Sequence, residues 1–336
     1  SSTSSRDLTL QNTSRASIRS SNRLKQHKSI RTSELDETHL AQQHATSLIS
    51  NDESSLFSQL MKVTSNNKSI SMSATSIALI QKIIENWIAE YDNSRSTGLQ
   101  KIIQFIMHSS GCRGKVNKNL YESHVGAGFS NLITKMIENY DEESADYPFV
   151  MNNSLYRKFK NAHNQFWGLL IKQCSRDIIY DAYLMDNIIQ LLTEMCNSKV
   201  RAFRHTSTIA CMNLMTALVR IAANLSNQLE TATVQLTKEE EKTGRNKSKA
   251  RINQYTQQKK DIEEQSSEIE DMLNSIFKGV FAHRYRDVVP EIRATCMVEL
   301  GNWMHILPKV FLTDSYLKYV GWTLYDRVKE VRIKCV

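Results

Sequence analysis

The chain has 336 residues, 40% of them hydrophobic, with a net charge of +8 and a pI near 9.1. That is long enough to bury a large core, as one elongated body or two domains, and the positive balance suits a polyanionic partner without identifying one. The sequence shows no apolar run of the ~18–20 residues that a membrane span needs, and SSTSSRDLTLQNTS, with no apolar centre, is not expected to act as a secretory signal.

Three prolines and ten glycines favour long helices joined by tight turns, and alternating strands with Asn-Gly or Asp-Gly turns are missing. The expected fold class is all-α. Six cysteines (112, 174, 196, 211, 296 and 335) show no paired spacing and lie mostly in apolar-periodic segments, so they read as reduced, buried thiols of a cytosolic or nuclear protein.

Residues 1–50 are rich in Ser, Thr, Gln and Arg without a sustained period, which predicts a disordered or loosely helical tail. Within it, Arg15-Ala-Ser17 and Arg19-Ser20 resemble basic-directed phosphorylation sites, and Arg23-Leu-Lys-Gln-His-Lys28 is a faint nuclear-import patch. Helical repeats are expected over 51–223. Ile77, Ile80, Ile84, Trp87, Ile88 and Tyr91 recur at steps of three and four, and Leu99, Ile102, Ile103 and Ile106 follow at once. Two helices joined by Asp-Asn-Ser make an αα-hairpin that needs a neighbour for its apolar face. A helix over Leu155–Cys174 places Tyr156, Phe159, His163, Phe166 and Leu170 on one face, expected to be core, with His163 a satisfied core histidine. Gly126-Ala-Gly128 reads as a tight turn into a helix.

From 224 to 276 the composition turns to Glu, Lys, Gln, Asn and Ser. Leu225, Leu229, Ala232 and Leu236 form a seam, and Tyr255, Ile262, Ile269 and Ile276 recur every seven residues around the breaker Thr243-Gly-Arg-Asn246. This predicts a long antiparallel helical hairpin projecting from the body, with a twenty-residue arm reaching roughly 30 Å. Residues 277–336 form the last unit. There Asp287-Val-Val-Pro-Glu-Ile-Arg293 and Asp326-Arg-Val-Lys-Glu-Val-Arg332 repeat the frame Asp-x-x-x-Glu-apolar-Arg at 332 − 293 = 39 residues. That period predicts a HEAT-type α-solenoid, each Asp offering an N-cap oxygen. The chain begins without Met and stops at Val336, and it is read as a fragment with an incomplete last repeat.

No phosphate-binding glycine loop, His-Glu-x-x-His, Cys-x-x-Cys or Gly-x-Ser-x-Gly elbow is present. The reading is a non-enzyme with no cofactor, metal site or small-molecule substrate. Lys and Arg concentrate at three expected helix ends: Arg113, Lys115 and Lys118; Lys199, Arg201 and Arg204; and the arm tip, Arg245, Lys247, Lys249 and Arg251. Aligned on one edge of a solenoid, these would contact the phosphates of double-stranded DNA in a salt-dependent way. The competing reading makes Arg201, like Arg293 and Arg332, a ladder residue bonding the next repeat.

Four strings, Ser109-Ser-Gly-Cys-Arg-Gly, Val200-Arg-Ala-Phe-Arg-His-Thr-Ser-Thr208, Ile276-Phe-Lys-Gly-Val-Phe-Ala-His-Arg-Tyr-Arg-Asp287 and Leu312-Thr-Asp-Ser-Tyr-Leu-Lys-Tyr-Val-Gly-Trp-Thr-Leu324, resemble the stromalin (stromal antigen, Scc3-type) subunits of cohesin. The likeness runs from about Leu56 to Val336, and Tyr285 onward is similar to the stromalin conservative domain. It implies a non-catalytic HEAT-repeat regulatory subunit of the cohesin ring in the nucleus, on chromosomes and at centromeres. The implied partners are the kleisin subunit and through it the SMC heterodimer, DNA, and chromatin regulators carrying short aromatic motifs. By matching strings, the groove for those motifs would use Tyr285, Arg286, Leu317 and Trp322, with Asp314 at its edge. Trp303 is expected to be core, and Trp322 is either a partner-facing anchor or a core indole. The rival reading is an importin- or phosphatase-subunit-like scaffold that binds proteins and not DNA.

Overall fold

The computed structural model describes residues 54–67, 69, 71–117, 128–138, 140, 146–243 and 248–336; the tail 1–50 and Gly126 lie outside them. Among the described residues all regular structure is helical. The first helices begin on serines. Ser55 caps α1 (Leu56–Asn66), Ser73 caps α2 (Ala74–Asn93) and Ser94 caps α3 (Arg95–Ser109), each side chain accepting a first-turn N–H. Ser94 is also the residue on which α2 ends, so the expected hairpin turns over a single residue.

This tight turn brings the two backbones together at Gly98. The Trp87 indole donates to the Gly98 carbonyl at 2.9 Å, and a Cβ on Gly98 would stand 2.6 Å from a ring carbon of Tyr91 and 3.0 Å from its Cα. The Gly98→Ala variant is expected to lose about 1–3 kcal/mol in denaturant unfolding, overpacking outweighing alanine's better helix propensity. A neutral or stabilised variant would contradict the close packing.

α3 ends on Gly111 at φ +82, with the N–H of Cys112 bonded to the Met107 carbonyl and that of Gly111 to His108, the paired bonds of a Schellman terminus. α4 (Ser130–Glu138) starts beside Glu194, whose carboxylate accepts from the Phe129 N–H and the Ser130 hydroxyl. Gly128 precedes it at φ +69.

α5 (Ser154–Cys174) buries the aromatic stripe as expected. Tyr156, Phe159, His163, Phe166 and Leu170 are fully enclosed, and Phe105 of α3 stacks on His163 with ring centres 5.5 Å apart. His163 accepts the indole N–H of Trp167 at 3.2 Å. Each large ring buried here contributes roughly 1.5–3 kcal/mol.

A 3₁₀ turn (Ile178–Tyr180) leads through Asp181, which accepts the Tyr183 and Leu184 N–H groups at 2.9 Å, into α6 (Leu184–Cys196). α7 then runs unbroken from Arg201 to Glu240, 40 residues. The boundary expected at 223/224 therefore falls inside a continuous helix. Sequence composition changes there because α7 leaves the core, where α5, α6 and the later helix α9 cover it. Its apolar half also corrects the sequence reading on membrane spans. A window of α7 is long and apolar enough to cross a bilayer, yet most of it is buried within this fold.

α8 (Lys249–Ile276) packs back along α7. The seam has the heptad residues expected of it: Leu225 and Ala232 of α7, Ile262, Ile269 and Ile276 of α8, all buried. One member was not expected. Glu239, one heptad after Ala232, is buried near the tip, where it accepts the Ser248 N–H at 3.0 Å and the Lys242 ammonium at 2.6 Å. α8 continues through a π-helical turn (Phe277–Phe281), a form frequent at functional sites, past Gly279, which lets it approach Thr193 of α6. The chain closes with α9 (Pro290–Ile306), α10 (Pro308–Phe311), α11 (Asp314–Thr323) and α12 (Lys329–Ile333). All six cysteines are unpaired, five of them buried.

Candidate nucleic-acid interface and aromatic groove

The repeated frame gives the second half of the molecule its spacing. Arg293 bonds Asp326 twice, Nε to Oδ2 at 2.6 Å and Nη2 to Oδ1 at 2.8 Å, while its Nη1 folds back onto the carbonyls of Asp287 and Val288. Arg332 makes the same backward bonds to Asp326 and Arg327. A third member precedes them: Arg204 bonds the carbonyls of Ser198 and Lys199 and reaches forward to Asp287 at 2.8 Å. The ladder residue is thus Arg204, not Arg201. Its frame, Ser198-x-Val200-x-x-Phe203-Arg204, was legible only if serine was allowed in the Asp position.

The Asp is also not the N-cap. Val289 and Val328 occupy the caps without a side-chain bond, and Asp287 and Asp326 sit two residues earlier. One oxygen of each accepts the cap valine's N–H, at 2.9 and 2.8 Å, as Ser198 does for Val200 at 3.2 Å. The other oxygen receives the Nε of the arginine of the preceding frame. Bonding to Arg293 holds the Asp326 carboxyl below its usual range, and Asp326 in turn raises Arg293. Arg204 is 12% exposed in its side chain and already saturated by these bonds, so it does not serve a DNA phosphate.

The remaining cations fall in two places. After α3 the chain is extended over Cys112–Asn117, and two α3 glutamines pin it. Gln104 bonds the Gly114 carbonyl and the Val116 N–H, and Gln100 bonds the Val116 carbonyl. Period-two alternation then buries Cys112 and Val116 and turns Arg113 and Lys115 to solvent. The start of α7 meets this segment, Thr206 donating to the Ser109 carbonyl at 3.4 Å, and there Lys199 and Arg201 are exposed. Arg201 makes a loose contact with Glu291 at 3.6 Å, both side chains at least half exposed.

Two further cations that the sequence reading missed, the exposed Arg157 and the half-buried Lys160, lie in the first two turns of α5. Burial, and then the nearby Arg157, lower the Lys160 pKa. Burial, then Arg201, push the His205 pKa down to about 4. At the arm tip Lys249 and Arg251 are exposed, some 50–60 Å along α7 by its rise of ~1.5 Å per residue. The three expected clusters therefore do not form one patch. Lys118, Arg245 and Lys247 lie outside the described residues.

The groove residues are brought together in part. Tyr285 stacks on Trp322 at 6.3 Å between ring centres, and Tyr319 meets Trp322 edge-on at 5.5 Å. Behind them Phe281, Phe277, Tyr316 and Phe311 continue the aromatic contacts into the core. Trp322 itself is 57% exposed, and Lys318 lies over its ring at 5.9 Å. Trp303 is core as expected, its indole bonded to Thr216 at 2.7 Å. Asp314, Leu317, Lys318 and Gly321 fall on the outer face of α11 by helical spacing, and Arg286 is exposed beside Tyr285. Tyr319 and Lys318 were missed; an i, i+3/i+4 relation to Trp322 was the available signal. Among the described residues no His, Cys, Asp or Glu group could hold a metal ion.

Residues 145–258 match the STAG domain and residues 286–336 the stromalin conservative domain. The chain is 46% identical over 257 residues to cohesin subunit SA-1 of Xenopus laevis, and 40% identical to human cohesin subunit SA-3. Each alignment covers 76% of this chain and about a fifth of the relative, 20% and 21% respectively. The chain belongs to the stromalin family. The solved structure of cohesin subunit Scc3 from Z. rouxii superposes with a TM-score of 0.68 over 82% of this chain and 31% of that one, at 21% identity. That agreement concerns the fold, an α-helical solenoid. In this stromalin chain the match to the conservative domain starts one residue after Tyr285, so the aromatic pair joins the residue just before that match to α11 within it.

Proposed function

We propose that this chain is part of a non-catalytic regulatory subunit of cohesin, in the nucleus and on chromosomes including centromeres, that binds kleisin and through it the SMC heterodimer. Relatives named cohesin subunits from frog, human and fission yeast support the assembly. The chain spans only about a fifth to a quarter of those proteins, so the kleisin contacts are proposed for the assembly and assigned to no residue here. The same relatives set aside the importin- or phosphatase-like alternative.

The observation that carries the groove is the half-exposed Trp322 stacked on Tyr285 over a buried aromatic floor. An apolar ring left in solvent on a rigid support is what a buried aromatic anchor needs. The expected ligand is a short aromatic motif of a chromatin regulator, with Arg286, Asp314 and Leu317 at its edge. The Trp322→Ala variant should lose at least tenfold in affinity for such a peptide by fluorescence anisotropy while its melting temperature moves by less than about 2 °C. A large fall in melting temperature would instead make Trp322 structural.

Arg113, Lys115 and Lys118, with Lys199 and Arg201, are the proposed phosphate contacts at the core end, joined by Arg157 and Lys160. Arg245, Lys247, Lys249 and Arg251 at the arm tip form a separate site. Binding to a plain duplex should weaken steeply between 50 and 200 mM salt, and Arg157→Gln with Lys160→Gln should flatten the log–log slope by about 1–2. No retention of the chain on duplex at ~50 mM salt would remove DNA from the reading.

A further inference from the structure

On the side of the arm base facing α6 lies a groove of about 500 Å³. Its floor is apolar, from Ile179, Tyr180 and Met272, and its rim carries Asp186 of α6 with Glu268 and Asp271 of α8. Glu263 and Glu264 on the same helix pair with Lys259 and Lys260, whereas Asp186, Glu268 and Asp271 make no ion pair with a described cation. Three unpaired carboxylates over an apolar floor, in a chain of net charge +8, ask for a segment that brings cations and a few apolar side chains together.

The chain carries such a segment. Between Leu8 and Ser33 there is no Asp or Glu, and Arg15, Arg19, Arg23, Lys25, Lys28 and Arg31 are interleaved with Ile18, Leu24 and Ile30. The 26 residues from Lys28 to Ser54 can span up to about 90 Å when extended, so reach does not limit docking. We infer that the basic segment Arg15–Arg31 of this chain docks in the groove between α6 and α8, its cations on Asp186, Glu268 and Asp271 and an apolar side chain on Met272.

The arrangement has a consequence for Ser17 and Ser20, which follow Arg15 and Arg19 in basic-directed sequence. A phosphate adds a charge of about −1.5 to −2 and would face the same carboxylates, so modification at either serine expels the segment.

A zero-length carbodiimide cross-linker joins amines only to touching carboxylates. In the full chain, mass spectrometry should find Lys25 or Lys28 joined to Asp186, Glu268 or Asp271, and the links should vanish in the Asp186→Asn, Glu268→Gln, Asp271→Asn variant. These residues are exposed, so folding is unaffected. In a full chain whose own Arg19, Arg23, Lys25 and Lys28 are replaced by Gln, a fluorescein-labelled peptide of residues 14–32 should bind. Neutralising the three carboxylates or phosphorylating the peptide at Ser17 and Ser20 should weaken that binding at least tenfold. Tail lysines cross-linked only to other carboxylates, or a scrambled peptide that binds equally well, would overturn the assignment of this segment.

Discussion

Replacing Asp287 by Asn should cost about 3–5 kcal/mol of unfolding free energy, the largest loss expected from any polar substitution in the chain. Its side chain is 1% exposed and receives Arg204 Nε at 2.8 Å, Arg284 Nη1 at 2.6 Å and the Val289 N–H. The amide removes the charge that both guanidiniums face and leaves them, 12% and 17% exposed, against one another. Urea unfolding of the variant reads the loss directly. The contrast is Glu291→Gln at the loose, exposed Arg201 pair, where less than about 0.5 kcal/mol is expected. Equal effects at both positions would mean that the ladder does not hold the repeats together.

Acid should destabilise the protein well before its carboxylates titrate. Burial lowers His163 to about 3, and burial with Arg201 lowers His205 to about 4, so both are neutral in the folded chain. The unfolded chain takes up these protons near pH 6.5 and the folded chain only near the lowered values, so stability is full above pH 6.5 and declines below it. By pH 5 the two together should have removed about 4 kcal/mol, at about 2 kcal/mol per histidine. Denaturant midpoints across pH 7.5 to 4.5 measure the slope, and His163→Gln and His205→Gln should each flatten it whatever they do to stability at pH 7.5. A pH-independent midpoint over that range would contradict neutral burial. Asp326, lowered by Arg293, works in a different window: its stabilisation is present above the usual Asp range and is lost only as pH falls further.

The all-α class, the first hairpin and the aromatic core of α5 were legible because their signals are local. Apolar spacing of three and four needs no tertiary information. The arm seam was legible for the same reason until Glu239, where a carboxylate takes a core position to close the tip. The ladder was half legible. Two Asp frames disclosed the period, but the carboxylates act across 33 and 83 residues rather than as caps, and only the fold shows which arginine each receives. Trp322 and Trp303 look alike in sequence, both in helices flanked by apolar residues. What separates them is which face of α9 and α11 the neighbouring helices cover. The basic clusters fared worst, because proximity of charges in the chain did not distinguish Arg204, spent within the fold, from Arg113 and Lys115, which face solvent.

α7 is one uninterrupted 40-residue rod whose first turn holds the ladder and whose last turn holds the arm tip. The arm is consequently a lever with its fulcrum in the core and no hinge between. The helix that carries the tip also carries Arg204, and the Arg204–Asp287–Arg284 contact ends one residue from Tyr285.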